Sequence, residues 1–310
     1  MSIHSRKNVR ALGFLFCAFS LLVPAVGMTL GCGGSDVRPA MPDVTVNDMS
    51  ADDLELAPLE EEASSGDDEG DAVEGGSAEI IAPPPTVVVG ESTPLEGPTP
   101  TLRITAPRNG ATIRTGNVSV RVNLANWELA SPAGPHVHLI LDNEPYIAIR
   151  NTGAPIDLNA VVLENLGHEL AEGTHVLRMF PSRGHHESVK DAGAFATVTF
   201  NYRSATPDFT FDAAAPLLTF SRPKGCNPVS ERVLLDFFVS NTTLAPEGSR
   251  VRWTLDGRSG EITRWAPHYI ENLDSGSHEI RLELLGADGT PIPGPFNDTS
   301  RTFTVAESCS

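Results

Sequence analysis

The feature that most constrains this chain is that it repeats. The segment VSVRVNLANWELASPAGPHVHLILD (118 to 142) lines up with VLLDFFVSNTTLAPEGSRVRWTLD (233 to 256), and NLGHELAEGTHVLRMF with NLDSGSHEIRLEL. Further on, DAGAFATVTFNY is matched by GPFNDTSRTFTV. The copies lie about 115 residues apart, so each must bury its own apolar face within roughly that length. Short runs of alternating apolar and polar residues are separated by Gly, Pro and Asn turns, and no long segment has helical periodicity.

About seven short strands per copy predicts an all-β chain: two tandem immunoglobulin-like β-sandwich domains, over 101–206 and 207–310. The stretches LAEGTHVLR and FATVTF resemble the bacterial immunoglobulin-like domains of surface proteins. The whole of 101–310, through GPHVHLILDNEPYIAIRN, PLLTFSRPKGC and RWTLDG, resembles an uncharacterised group of predicted bacterial lipoproteins. That resemblance implies binding, adhesion or envelope structure, through a protein or glycan partner, and it implies no activity.

The N-terminus explains how such domains would be displayed. Residues 1–31 read as a signal peptide, with Arg6, Lys7 and Arg10 ahead of an apolar run from Ala11 to about Val26. The ending TLGCGGS resembles the lipobox of bacterial lipoproteins, with Thr29 where that motif usually has Leu. The resemblance implies that Cys32 is acylated and becomes the mature N-terminus, anchored in the envelope of a Gram-negative-type bacterium, in the outer membrane rather than the inner. The domains would then face the periplasm or the cell surface. An ordinary cleaved signal and an uncleaved anchor are the alternatives, because the apolar run approaches the ~20 residues that span a bilayer.

From residue 36 to about 100 the chain is acidic and rich in Pro, Gly and Ser. That stretch holds 17 Asp and Glu against one base, Arg38, whereas 101–310 holds 23 acids and 18 bases. Such a segment cannot bury enough surface to offset its ordering entropy, so 32–100 is expected to be a disordered linker reaching roughly 45 Å. The formal charge of -18 belongs mostly to this segment, and it argues against a nucleic-acid partner. Export also sorts the cysteines: with Cys17 in the signal and Cys32 lipidated, Cys226 and Cys309 are left to pair in an oxidising compartment.

The repeat serves as an internal control for candidate sites. His175 matches His278, and each opens the inward face of its strand, so both are expected to be structural. His136 and His138 match Arg250 and Arg252, while Val137, Leu139 and Leu141 form the inward face. Alternation therefore turns both histidines outward, side by side. The loop PSRGHHESVKDAG adds His185, His186 and Glu187 at the same end of the domain, and its counterpart LGADGTPIPGP holds no histidine. These five residues are the candidate metal ligands, at an exposed tip of the first domain, and imidazole ligands suit Zn or Cu. Arg178, expected beside them, speaks against a cation. No nucleophile elbow, HExxH pair or phosphate loop is present, and no enzyme is expected.

Overall fold

The computed structural model describes residues 83–309; the signal segment 1–31, Cys32 and the linker as far as residue 82 lie outside the described residues. In chain order the strands are β1 (Thr86–Val89), β2 (Thr101–Ala106), β3 (Ala111–Ile113), β4 (Ser119–Ala125), β5 (His136–Leu141), β6 (Ile147–Ile149) and β7 (Ile156–Asp157). The helix α1 (Leu158–Leu166) follows, then β8 (Gly173–Ser182) and β9 (Ala196–Tyr202). The second copy runs through β10 (Leu217–Arg222), β11 (Gly225–Pro228), β12 (Val233–Ser240), β13 (Arg250–Leu255), β14 (Arg258–Ile262), β15 (His268–Glu271), β16 (Gly276–Leu285) and β17 (Asp298–Ala306).

These strands make two sandwiches. In the first, the sheet β2-β4-β7 packs against β3-β9-β8-β5-β6; in the second, β1-β15-β12-β10 packs against β11-β17-β16-β13-β14. Each encloses its own core. Val137, Leu139, Leu141, Leu177, Met179 and Phe200 fill the first, and Phe237, Val251, Leu255, Ile280, Leu282 and Phe303 the second. The period-2 alternation of β5 and β16 is thus realised, with one set of side chains inward in each strand. The cysteine pair forms as expected: Cys226 and Cys309 are disulfide-bonded.

Two local features depart from the sequence reading. The end of the stretch expected to be disordered is built into the fold, because Thr86–Val89 forms β1, paired antiparallel with β15 in the register Val87↔Ile270 and Val88↔Tyr269. A β-branched run fits a pleated edge, and β15 offers its free side to it. The chain therefore meets the second sandwich before it builds the first. The second departure is α1: Leu158 and Val162 point into the core one turn apart, Asp157 caps Ala160 N–H, and Gly167 closes the helix with a φ of 78°.

The matching histidines act as matching pins. His175 Nδ1 lies 2.7 Å from Asp142 Oδ2 and its Nε2 2.8 Å from the Ala171 carbonyl; His278 makes the same pair with Asp256 Oδ2 at 2.7 Å and the Asp274 carbonyl at 2.9 Å. Each aspartate also accepts a backbone N–H across the strand end, from Val176 and Glu279. Burial by itself would depress both imidazoles, but the aspartate and carbonyl hydrogen bonds outweigh it, so both sit above the ordinary histidine value. A raised value in the folded state means stability that is complete below about pH 6.5 and lost as pH rises through the folded pKa. The melting temperature is accordingly expected to decline as pH rises above about 6.5, and Asp142→Asn with Asp256→Asn should flatten that slope in a calorimetric pH series.

The two sandwiches are packed on each other through a shared apolar layer. Ile140, Tyr146 and Phe180 of the first meet Phe238 of the second, with Phe195 and Trp265 at the margin. The Phe238 ring lies 5.1 Å from Phe180, 4.9 Å from Phe195 and 4.8 Å from Trp265. Arg178, 1 % exposed, donates across the junction to the Leu218 carbonyl and Thr219 Oγ1, and to the Asp142 carbonyl on its own side. Its guanidinium lies 3.9 Å above the Phe296 ring. The segment after β1 runs along both bodies: Glu91 pairs with Arg264, Ser92 donates to Glu187, and Arg183 donates to the Thr93 carbonyl.

Candidate functional site at the junction of the two sandwiches

The strand face carrying His136 and His138 does not meet solvent. Both side chains are 0 % exposed, so the expected exposed tip is corrected to a buried junction. Alternation placed them correctly away from the core of their own sandwich, but β10 and the following residues of the second sandwich cover that face. Ser221 at the end of β10 stands 2.9 Å from His138 Nδ1. Arg178 is not the cation nearest the pair, because β5 pairs with β8 so that Arg178 is opposite Ile140 while Phe180 is opposite His138; Arg150, Arg222 and Lys224 supply the opposing charge instead.

Three of the five candidate residues converge. His138 Nε2 is 3.0 Å from His136 Nε2, and His186 Nδ1 is 3.1 Å from the same His136 nitrogen. One ligand atom from each lies within 4.8 Å of the others. Tyr146, which sequence reasoning did not select, stacks on His138 with ring centroids 3.7 Å apart and places its hydroxyl 3.0 Å from His186 Nδ1. His185 and Glu187 stand outside this group. His185 is exposed and bonds Glu187 Oε2 at 2.9 Å, and buried Glu187 also holds Ser92 and Arg183. Glu187 ties the entering segment to the loop.

The loop is shaped to deliver His186. Arg183 to Glu187 closes the hairpin Ser182–Ser188, with His186 N–H donating to the Arg183 carbonyl at 3.0 Å and Arg183 N–H to the Glu187 carbonyl at 2.8 Å. That is a type I turn followed by a left-handed residue, a position where glycine is the usual choice. Here it is His186, at a φ of 71°. Gly184 makes the docking feasible: a Cβ there would stand 3.2 Å from the Gly134 backbone, whose carbonyl accepts from His136 Nδ1 at 2.9 Å.

Charge around the cluster is positive. Lys224 lies 3.9 Å above the Tyr146 ring and donates to the Tyr146 carbonyl, and Arg150 donates to the Ala130 and Gly134 carbonyls. Burial is the largest cause depressing all three imidazoles; Arg222 and Lys224 add to it in each, Arg150 in His136 and His186, and the neighbouring histidines in His138, so that His136 lies below its ordinary value, His138 well below, and His186 is pushed down to about 3. Burial likewise pushes the Tyr146 phenol up to about 12. At neutral pH the site holds three uncharged rings and a protonated phenol, which is the state in which imidazole can donate a lone pair. The sister strand shows the contrast, since Arg250 and Arg252 form ion pairs with Glu261 and Glu283 at 2.9 and 2.8 Å.

No family model matches the chain, and none of the curated proteins matches it in sequence. Among solved structures it is similar to the fibronectin(III)-like modules of Clostridium thermocellum CbhA, at 13% identity and a TM-score of 0.23, over 66% of this chain and 94% of that one. It is also similar to the Bacteroides ovatus mixed-linkage glucan utilization locus SGBP-B, in complex with a mixed-linkage heptasaccharide, at 11% identity and 0.20, over 67% and 48%. A third is the FN1-FN3 region of chicken CNTN1, at 10% and 0.18, over 67% and 69%. Likeness of this depth carries no information about what this chain binds.

Proposed function

We propose that this chain is a non-enzymatic lipoprotein of the bacterial envelope, anchored through acylated Cys32 and presenting its two sandwiches as one binding body to a protein or glycan partner. The observation that carries the reading is the junction. A buried aromatic layer joins the two sandwiches and residues 86–93 bind both, so they offer a partner one continuous surface instead of two independently moving modules. The entering segment thus arrives from the anchor side already committed to the folded body. The Cys226–Cys309 bond supports an oxidising compartment outside the cytoplasm.

The anchor is tested first. Cys32→Ala, or inhibition of the lipoprotein signal peptidase with globomycin, is expected to shift the protein from the membrane fraction to the soluble one or to an unprocessed precursor. Unchanged fractionation and unchanged mobility would sink the lipoprotein reading. Capture with the soluble released form on glycan and envelope-protein arrays then identifies the partner class, and retention on neither would remove the binding role.

A further inference from the structure

We propose that His136, His138 and His186, with Tyr146 beside them, bind a transition-metal ion of the imidazole-preferring kind, copper or zinc, with the ligands supplied by the first sandwich and the cover by the second. The site is independent of the envelope reading: it needs neither the anchor nor the partner.

Proton bookkeeping is the first support. The Gly134 carbonyl can only accept, so His136 Nδ1 carries the ring's proton and Nε2 is a bare lone pair. That lone pair faces two more ring nitrogens, at 3.0 and 3.1 Å, and one lone pair cannot take two full hydrogen bonds. When the Tyr146 hydroxyl donates to His186 Nδ1, the nitrogens of His136 and His186 face each other with no proton between them. A cation placed between the nitrogens of His136 and His186 removes that repulsion, because both lone pairs then point at positive charge. With metal–nitrogen bonds of about 2.0–2.1 Å, nitrogens 3.0 Å apart subtend an angle near 95° at the ion, within reach of a tetrahedral site after small ring movements.

The supporting shell is the second. A metal-bound histidine ordinarily donates its other N–H to a carbonyl, hydroxyl or carboxylate, which fixes ring and tautomer. His136 has Gly134, and His138 has Ser221 from the opposite sandwich. The backbone of His186 is the third: it holds the left-handed conformation at a φ of 71°, at a turn position where glycine is the usual choice. A histidine there aims its imidazole at His136 and Tyr146, which a glycine could not do. His186 is the one of the three with surface exposed to solvent, so it marks the side from which an ion would approach.

The cations Arg150, Arg222 and Lys224 oppose charge at the centre. They exclude a proton for the same reason, and a proton gains far less from three lone pairs than a metal does. A Tyr146 phenolate, its proton released to solvent as the ion binds, or a hydroxide brought with the ion would offset a divalent charge.

The test titrates Zn(II), Cu(II) and, under reductant too mild to open the disulfide, Cu(I) separately into the full chain. Calorimetry reads the stoichiometry, and electron paramagnetic resonance of the Cu(II) form reads the number of coordinated nitrogens. One ion per chain at submicromolar Kd is expected for at least one metal, with nitrogen couplings from imidazoles if it is copper. His186→Gln and His138→Gln should each weaken binding by about 100-fold, and Ser221→Ala, which repositions His138, by about 10-fold. His185→Gln and His168→Gln should leave it unchanged. Should His138→Gln fail to fold, His186→Gln on the half-buried loop decides alone. Binding weaker than about 10 μM for all three ions, or equal losses in His185→Gln and His186→Gln, overturns the proposal.

Discussion

Replacing Asp236 by alanine is expected to lower the unfolding free energy by about 3–5 kcal/mol, the range for breaking a buried ion pair from one side. Asp236 lies on β12 of the second sandwich and is 0 % exposed; its Oδ1 accepts from Lys190 Nζ at 2.6 Å and from Ser188 Oγ at 2.9 Å, both of the first sandwich. The Lys190 side chain is itself only 8 % exposed. Without the carboxylate an ammonium is left in a dry junction with one hydroxyl for company, and the loss is mostly that charge's desolvation rather than the worth of the pair. The same physics predicts the rescue: Asp236→Leu with Lys190→Met, which removes both charges, should return to near wild-type stability. Because the pair crosses the junction, Asp236→Ala should also split a single urea transition into two as the sandwiches lose their coupling. A cost below about 1 kcal/mol would mean that water reaches the pair.

The junction is also where the sequence was least legible. Alternation in HVHLIL correctly sent Val137, Leu139 and Leu141 to one side, since period 2 reports which face meets the strand's own core. It does not report what lies against the other face. A hint was present in that Ile140 shares the face of His136 and His138, and Val176 and Phe180 share that of Arg178; apolar residues on both faces mark a strand covered on both sides. The internal repeat drew attention away from it, because the equivalent arginines of β13 are partly exposed and ion-paired. Tyr146 carried no sequence signal, as its stacking on His138 is a product of tertiary packing. Thr86–Val89 was hidden by its neighbours: four β-branched residues inside an acidic, proline-rich stretch form a strand only because β15, some 180 residues later, leaves an edge free for them. The disulfide, by contrast, was legible from cysteine counting alone, since export leaves only two thiols.

Removing that disulfide carries the other large effect. The bond closes a loop with a sequence separation of 83 residues, from β11 to just beyond β17, which is nearly the whole second sandwich. Loop-closure entropy for that length corresponds to about 4–5 kcal/mol at 25 °C, so Cys226→Ala with Cys309→Ala is expected to cost about 4 kcal/mol in urea unfolding at neutral pH. The loss should fall on the second sandwich, since no cross-link constrains the first among the described residues. It should reach the histidine cluster as well, because Ser221 and Lys224 precede Cys226 by a few residues and depend on the same end of the sandwich for their placement. Cys226 and Cys309 are both exposed, so dithiothreitol should reproduce the double substitution in the folded protein without denaturant. If both treatments cost less than about 1 kcal/mol, the parallel pairing of β11 with β17, Cys226 opposite Thr304, holds the end of the sandwich by itself, and the bond records the compartment rather than stabilising the fold.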